Sequence, residues 1–248
     1  MMHSVQIFLA ASQAMRSRVE MVPQSRYDKE YFAQNWFIDR LEAVGVPFRQ
    51  QGRNSYPDFW VGDENHPPVE GYEVKSLAFA RGKPARKDYD SNSTIPSGRR
   101  EDRDVFLVFF LYTGSGPALR TVHSLCIAHT DLINADHRLA ESHVNEAIHG
   151  FGSYGDGFIR NRKMYVFPHP FSIDPGAVGS CRLIVPGEWG LTDKRLTLVG
   201  SIDRQVAKER IRGYSIDLYH QGEAEVTTSP ISKEGLARTF DVFEAAES

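Results

Sequence analysis

A chain of 248 residues, 41% hydrophobic and 25% charged, has the size and composition of a globular protein that buries a real core. Its net charge of −3 excludes a generic polyanion binder, so any nucleic-acid contact must come from local basic patches. Two cysteines, Cys126 and Cys181, exclude a disulfide framework and a cysteine-built zinc site, and they fit a reducing, cytoplasmic compartment.

The N-terminal apolar run is short and no Lys or Arg precedes it, which argues against a secretory signal. No apolar run approaches the ~20 residues of a membrane span. The pattern predicts a helix over 10–22 and a clearer one over 28–44, where Phe32, Trp36 or Phe37, Leu41 and Val44 recur at helical spacing. Asp28 near its start and Gly45 at its end are suited to cap it. Strands are expected over 46–50, 57–61 and 70–77. Residues 78–104 lack apolar periodicity and are rich in Gly, Pro, Ser and Asn, so they read as one long loop. Val105 to Tyr112 is a continuous apolar run, expected to be a central strand buried on both faces, with 119–128 beside it. A helix is expected over 130–149. Strands follow over 162–167, 182–185, near 196–202 and near 213–219, with a helix near 232–238. The fold class expected is α/β, one domain with a mixed central sheet flanked by helices and the last third as an extension of it.

Two of these strands carry the chemistry. Residues 56–76 read YPDFWVGDENHPPVEGYEVKS. Pro57 and Asp58 open one short apolar run, and the triplet Glu73-Val74-Lys75 closes the next. A polar, Pro-rich turn between them predicts a β-hairpin, and strand alternation puts Glu73 and Lys75 on one face. An acid-x-Lys triplet is expected about once by chance in this composition, so the triplet alone is as well read as a surface ion pair. Its context is more informative: a helix ending in Gly precedes the hairpin and a buried strand follows it.

The order helix, three strands, loop and strand, with Pro57-Asp58 and Glu73-Val74-Lys75 in these places, resembles the PD-(D/E)xK nuclease superfamily, which includes most type II restriction endonucleases. The resemblance covers about residues 28–128. It implies a restriction-endonuclease-like core with the catalytic residues Asp58, Glu73 and Lys75, and a helix-borne partner at Gln34 or Glu30. It implies one or two Mg²⁺ ions held by Asp58, Glu73 and the Val74 carbonyl, since hard Mg²⁺ prefers a few oxygen ligands and retains waters. Lys75 would orient the attacking water. The function implied is Mg²⁺-dependent hydrolysis of double-stranded DNA, most simply by a sequence-specific type II restriction endonuclease. Such an enzyme would work as a homodimer, with a companion DNA methyltransferase acting on the same site. Alternatives are a repair, phage or transposon-associated nuclease of the superfamily without strict specificity, or a non-catalytic DNA-binding protein of the same fold.

Two basic segments are candidates for DNA contact. One leaves directly from Lys75 and carries Arg81, Lys83, Arg86, Lys87, Asn92, Ser93, Arg99 and Arg100. The other, glycine-rich, leads into Arg160, Arg162 and Lys163, with no acid between Asp156 and Asp174. Its glycines fit neither a dinucleotide nor a P-loop fingerprint. His137, His143 and His149 stand six apart, which spreads them around a helix and argues against a histidine metal cluster. Trp36 and Trp60 are read as core residues.

Overall fold

The computed structural model describes residues 2–26, 28, 30–52, 55–62, 69–85, 88–92, 98–133, 162–204, 211–218, 224–231 and 238–246. Its first helix, α1, spans His3–Arg16, earlier than the 10–22 expected from the sequence. Ser4, Val5, Phe8, Ala11 and Ser12 form its inward stripe. The helix stops at Ser17, and Arg18 takes a left-handed φ of 54° that cannot continue it.

Helix α2, Tyr31–Val44, lies where the periodicity puts it. Its N-terminal donors are met by Asp28, whose Oδ1 accepts from the backbone N–H groups of Glu30 (3.0 Å) and Tyr31 (2.8 Å). Gly45 ends it at a φ of 70°. Phe32, Trp36, Phe37 and Leu41 are buried along one side. Large side chains of this kind contribute about 1.5–3 kcal/mol each when fully buried.

The helices pack on a mixed sheet of ten strands. In chain order these are β1 (Phe48–Gln50), β2 (Phe59–Val61), β3 (Glu70–Ala80), β4 (Lys83–Pro84), then β6 (Arg99–Arg100), β7 (Arg103–Thr113), β8 (Thr121–His129), β10 (Cys181–Pro186), β11 (Leu196–Arg204) and β14 (Arg238–Ala245). Their order across the sheet is β1-β2-β3-β7-β8-β10-β14-β11, with β4 pairing on β3 and β6 on β7. β3 runs parallel to β7 and β8 parallel to β10, whereas β7 and β8 are antiparallel. A second sheet, in the order β13-β12-β9-β5, joins β5 (Asp88–Asn92), β9 (Arg162–Pro168), β12 (Ile211–Leu218) and β13 (Ala224–Ile231).

β7 is the axis of the core, and Val105 to Leu111 have no exposed surface. Phe106, Val108 and Phe110 face α1 and α2. Leu107, Phe109 and Leu111 face a second core with Leu132, Ile133 and Phe171, the last on α3 (Pro170–Ile173). β3 shares this alternation. Its even residues Tyr72 and Val74 join the helix-side core. Glu70, also even, reaches α1, where its Oε1 accepts the His3 N–H at 3.1 Å and its Oε2 the Tyr72 hydroxyl at 2.5 Å. α1 has no side-chain cap of its own, so this buried carboxylate supplies its N-terminal acceptor. Burial raises the Glu70 carboxyl above its usual range.

Several sequence expectations change. β3 runs on to Ala80, and the segment expected as one loop over 78–104 contains β4, β5 and β6. Short strands of this kind are held by backbone ladders and need no apolar pattern. Of the helix expected over 130–149, a 3₁₀ turn at Thr130–Leu132 is described, and residues 134–149 lie outside the described residues. Arg238, expected to end a helix, instead starts β14, while 232–237 lie outside. Cys126 and Cys181 are both free thiols. Among the described residues no helix is long and apolar enough to cross a membrane.

Candidate active site

The β2–β3 ladder brings the site together. Phe59 pairs with Tyr72 and Trp60 with Gly71, so one step further the same register sets Asp58 opposite Glu73. Both lie on the sheet face turned away from α1 and α2, together with Lys75. The chain enters this row through a cis Tyr56–Pro57 bond.

Two hydrogen bonds tie each carboxylate to the backbone of the facing segment. The Asp58 N–H donates to Glu73 Oε2 at 3.1 Å, and the Val74 N–H donates to Asp58 Oδ2 at 2.8 Å. An extended residue points its N–H and C=O to the same side, so the Val74 carbonyl also faces the β2 side. Lys75 Nζ lies 2.6 Å from Glu73 Oε1, with the lysine side chain 24% exposed and the glutamate 8%.

The charges are crowded. Burial pushes the Asp58 carboxyl up to about 7, and the neighbouring Glu73 charge adds to this, while Lys75 and the Val74 N–H oppose it. Burial works against the Lys75 ammonium, but Glu73 and Asp58 outweigh it and hold it above the ordinary lysine range. A carboxylate whose folded pKa is raised stabilises the fold fully below its unfolded value, near 3.8, and loses that contribution as pH rises through about 7. In EDTA the urea midpoint of the wild type should therefore fall between pH 4 and pH 7.5. Asp58→Asn, which cannot ionise, should flatten that fall, and an equal fall in both proteins would refute the assignment.

Gly71 makes room for this row. A Cβ there would stand 2.6 Å from Pro57 Cγ and 3.0 Å from the Trp60 ring. Gly71→Ala should cost about 1–3 kcal/mol in urea unfolding, because a proline ring and a buried indole have little room to yield. A loss below a few tenths would mean that the hairpin shifts freely.

The remaining sequence candidates divide. Glu30 is exposed at the start of α2, and its charge acts on both Asp58 and Lys75 without contact. Gln34 is buried on α2, and its Oε1 accepts from Gln50 of β1, the cross-strand partner of Phe59, at 3.5 Å. Arg81, at a φ of 54° in the β3–β4 turn, and Lys83, Arg99 and Arg100 are exposed. Asn92 lies in β5 and not in a loop, and Arg162 and Lys163 lie in β9, the strand expected over 162–167; all three belong to the second sheet. Arg86, Lys87, Ser93 and Arg160 lie outside the described residues, as do His137, His143 and His149.

Sequence reasoning missed what surrounds Trp60. Tyr56, Trp60 and Val105 form a small buried cluster on the site's face. Arg103 lies over the Trp60 ring at 5.5 Å and Arg100 over Tyr56 at 5.9 Å. The spacing Tyr56-x-Asp58-x-Trp60 was the available signal, since it places both aromatics on the side of Asp58.

The oxygen-only donor set suits a hard divalent cation. Each carboxylate has one oxygen held by a backbone N–H; Asp58 Oδ1 faces a cation position beside the Val74 carbonyl, and Glu73 Oε1, which now meets the Lys75 ammonium, would share its remaining lone pair with the ion. Among the described residues no three His, Cys, Asp or Glu side chains gather to hold a metal, so such an ion would depend on this pair, the carbonyl and water. Searches against protein-family models, curated proteins and solved structures return no match for the chain.

Proposed function

We propose that this chain is a Mg²⁺-dependent endonuclease with a restriction-endonuclease-like core, hydrolysing phosphodiester bonds of double-stranded DNA. One observation carries the reading: Asp58 and Glu73 stand side by side on one sheet face, with the Lys75 ammonium 2.6 Å from Glu73. The order of α2, β1, β2 and β3, then a parallel β7, adds support.

In this reading Asp58, Glu73 and the Val74 carbonyl hold the cation. Bound there, Mg²⁺ would offset phosphate charge and acidify a water. Asp58 and Glu73 are kept in position by the paired backbone bonds, so little rearrangement is needed when DNA arrives. Lys75 donates from its ammonium to orient the attacking water in line with the scissile bond, and its positive charge offsets charge that builds on the phosphate oxygens. Leu107 and Phe109 of β7 stand beside Glu73 and Lys75 in the register of the sheet and give the row an apolar flank.

Within this class the reading extends to a type II restriction enzyme, a homodimer cutting at a palindrome whose host copy a methyltransferase protects. Digestion of a mapped supercoiled plasmid with Mg²⁺, followed by end sequencing, tests both levels. Discrete fragments with a common end sequence support the restriction enzyme. A smear points to a nuclease of the same chemistry without strict specificity. Intact plasmid across Mg²⁺ and Mn²⁺ rules out the nuclease.

A further inference from the structure

We infer that Arg100 and Arg103 form a clamp for the DNA backbone beside the Asp58 site; the identity of this ligand rests on the nuclease reading. The two arginines are direct cross-strand partners in the β6–β7 hairpin. Between them, Glu101 and Asp102 take left-handed φ values of 52° and 59°, the arrangement of a tight two-residue turn usually made by Asn or Gly. The turn therefore holds two like charges opposite each other, a pairing that disfavours the strand pair unless an anion lies between them.

Each guanidinium also has a platform. Arg103 lies over Trp60 and Arg100 over Tyr56, at 5.5 and 5.9 Å, within the range of a cation–π contact. A ring contact makes no hydrogen bond, so a guanidinium held over a ring keeps N–H donors for bidentate bonds to phosphate oxygens. Tyr56 and Trp60 stand two residues before and after Asp58, so both platforms are tied to the segment that carries the site. Gly71 of β3, lacking a side chain, leaves room for the Trp60 ring beside it. The Arg103 contact to Glu101 at 2.9 Å is a rim ion pair, with the glutamate 63% exposed, and exposed pairs of this kind yield readily to a stronger anion. Arg99 points elsewhere and donates to the Asp102 carbonyl at 2.9 Å.

The test measures binding separately from cleavage. Anisotropy of a labelled DNA duplex with Ca²⁺ in place of Mg²⁺ is followed against salt for the wild type, Arg100→Gln, Arg103→Gln, the double variant and the double lysine variant. The slope of log affinity against log salt should fall by ~0.9 for each glutamine and ~1.8 for the pair. Affinity at fixed salt should drop about tenfold or more in the double variant, and the lysine pair should keep the wild-type slope. An unchanged slope and affinity in the double glutamine variant would overturn the clamp. If Arg103→Gln unfolds, exposed Arg100 carries the test alone. Binding with these slopes but no cleavage in Mg²⁺ sinks the nuclease and leaves the clamp, whereas cleavage with unchanged slopes sinks only the clamp. A wild type that does not bind duplex DNA overturns both.

Discussion

Lys75→Ala should lower the single-turnover cleavage rate by about 10³-fold while changing DNA affinity little, because the ammonium acts on charge that develops during the reaction. The side chain is partly exposed and anchors none of the apolar core, so the variant should fold. Lys75→Arg should rescue poorly. Its charge is retained, but a planar fork cannot take the place of a compact ammonium 2.6 Å from Glu73. Quenched-flow cleavage of a defined duplex, with circular dichroism as a folding control, reads both. An alanine variant within tenfold of wild type would remove Lys75 from the chemistry.

Asp58→Asn and Glu73→Gln should each reduce cleavage by at least about 10³-fold, for a different reason. Each keeps the shape of the side chain and an oxygen able to accept the backbone N–H it now holds, from Val74 or from Asp58. Each removes one of the two charges that would bind the cation, a loss of several kcal/mol at the transition state. The Mg²⁺ concentration giving half-maximal rate should rise at least tenfold where activity remains measurable. Asp58→Asn should at the same time be more stable than wild type at pH 7.5 without metal, because it removes a charge that burial and Glu73 disfavour. A variant that cuts DNA at the wild-type rate and Mg²⁺ requirement would show that the pair does not hold the ion.

The hairpin was legible because its information is local. Alternation sets Glu73 beside Lys75, and the short connection to β2 leaves few registers that bury Phe59 and Val61 with Tyr72. α2 was legible for the same reason, with Asp28 at one end and Gly45 at the other. β7 announced itself by an unbroken apolar run. What escaped notice is held by distant partners. β14 inserts between β10 and β11, both of which precede it far back in the chain, and a short apolar set, Phe240, Val242 and Phe243, was all that marked it as a strand. β4, β5 and β6 are joined by backbone pairing that leaves no trace in side-chain periodicity. The same limit applied near the site: Trp60 is buried, as its reading as a core residue expected, but nothing local in the sequence showed that Arg103 lies over its ring. Gln34 stood at a promising helical position, and the contact it makes with Gln50 of β1 could not be read from the helix alone.

The crowding of Asp58 against Glu73 has a consequence for descent. At most positions in a protein, substitutions that abolish function also weaken the fold, so selection for a folded chain protects both. At Asp58 the two pull apart, since removing the charge relieves the native state. Folding alone then offers no resistance to drift toward an inactive and sturdier chain. In the proposed reading, a lineage that keeps an ionisable aspartate here does so at a cost to its stability, and it is use of the site that maintains it.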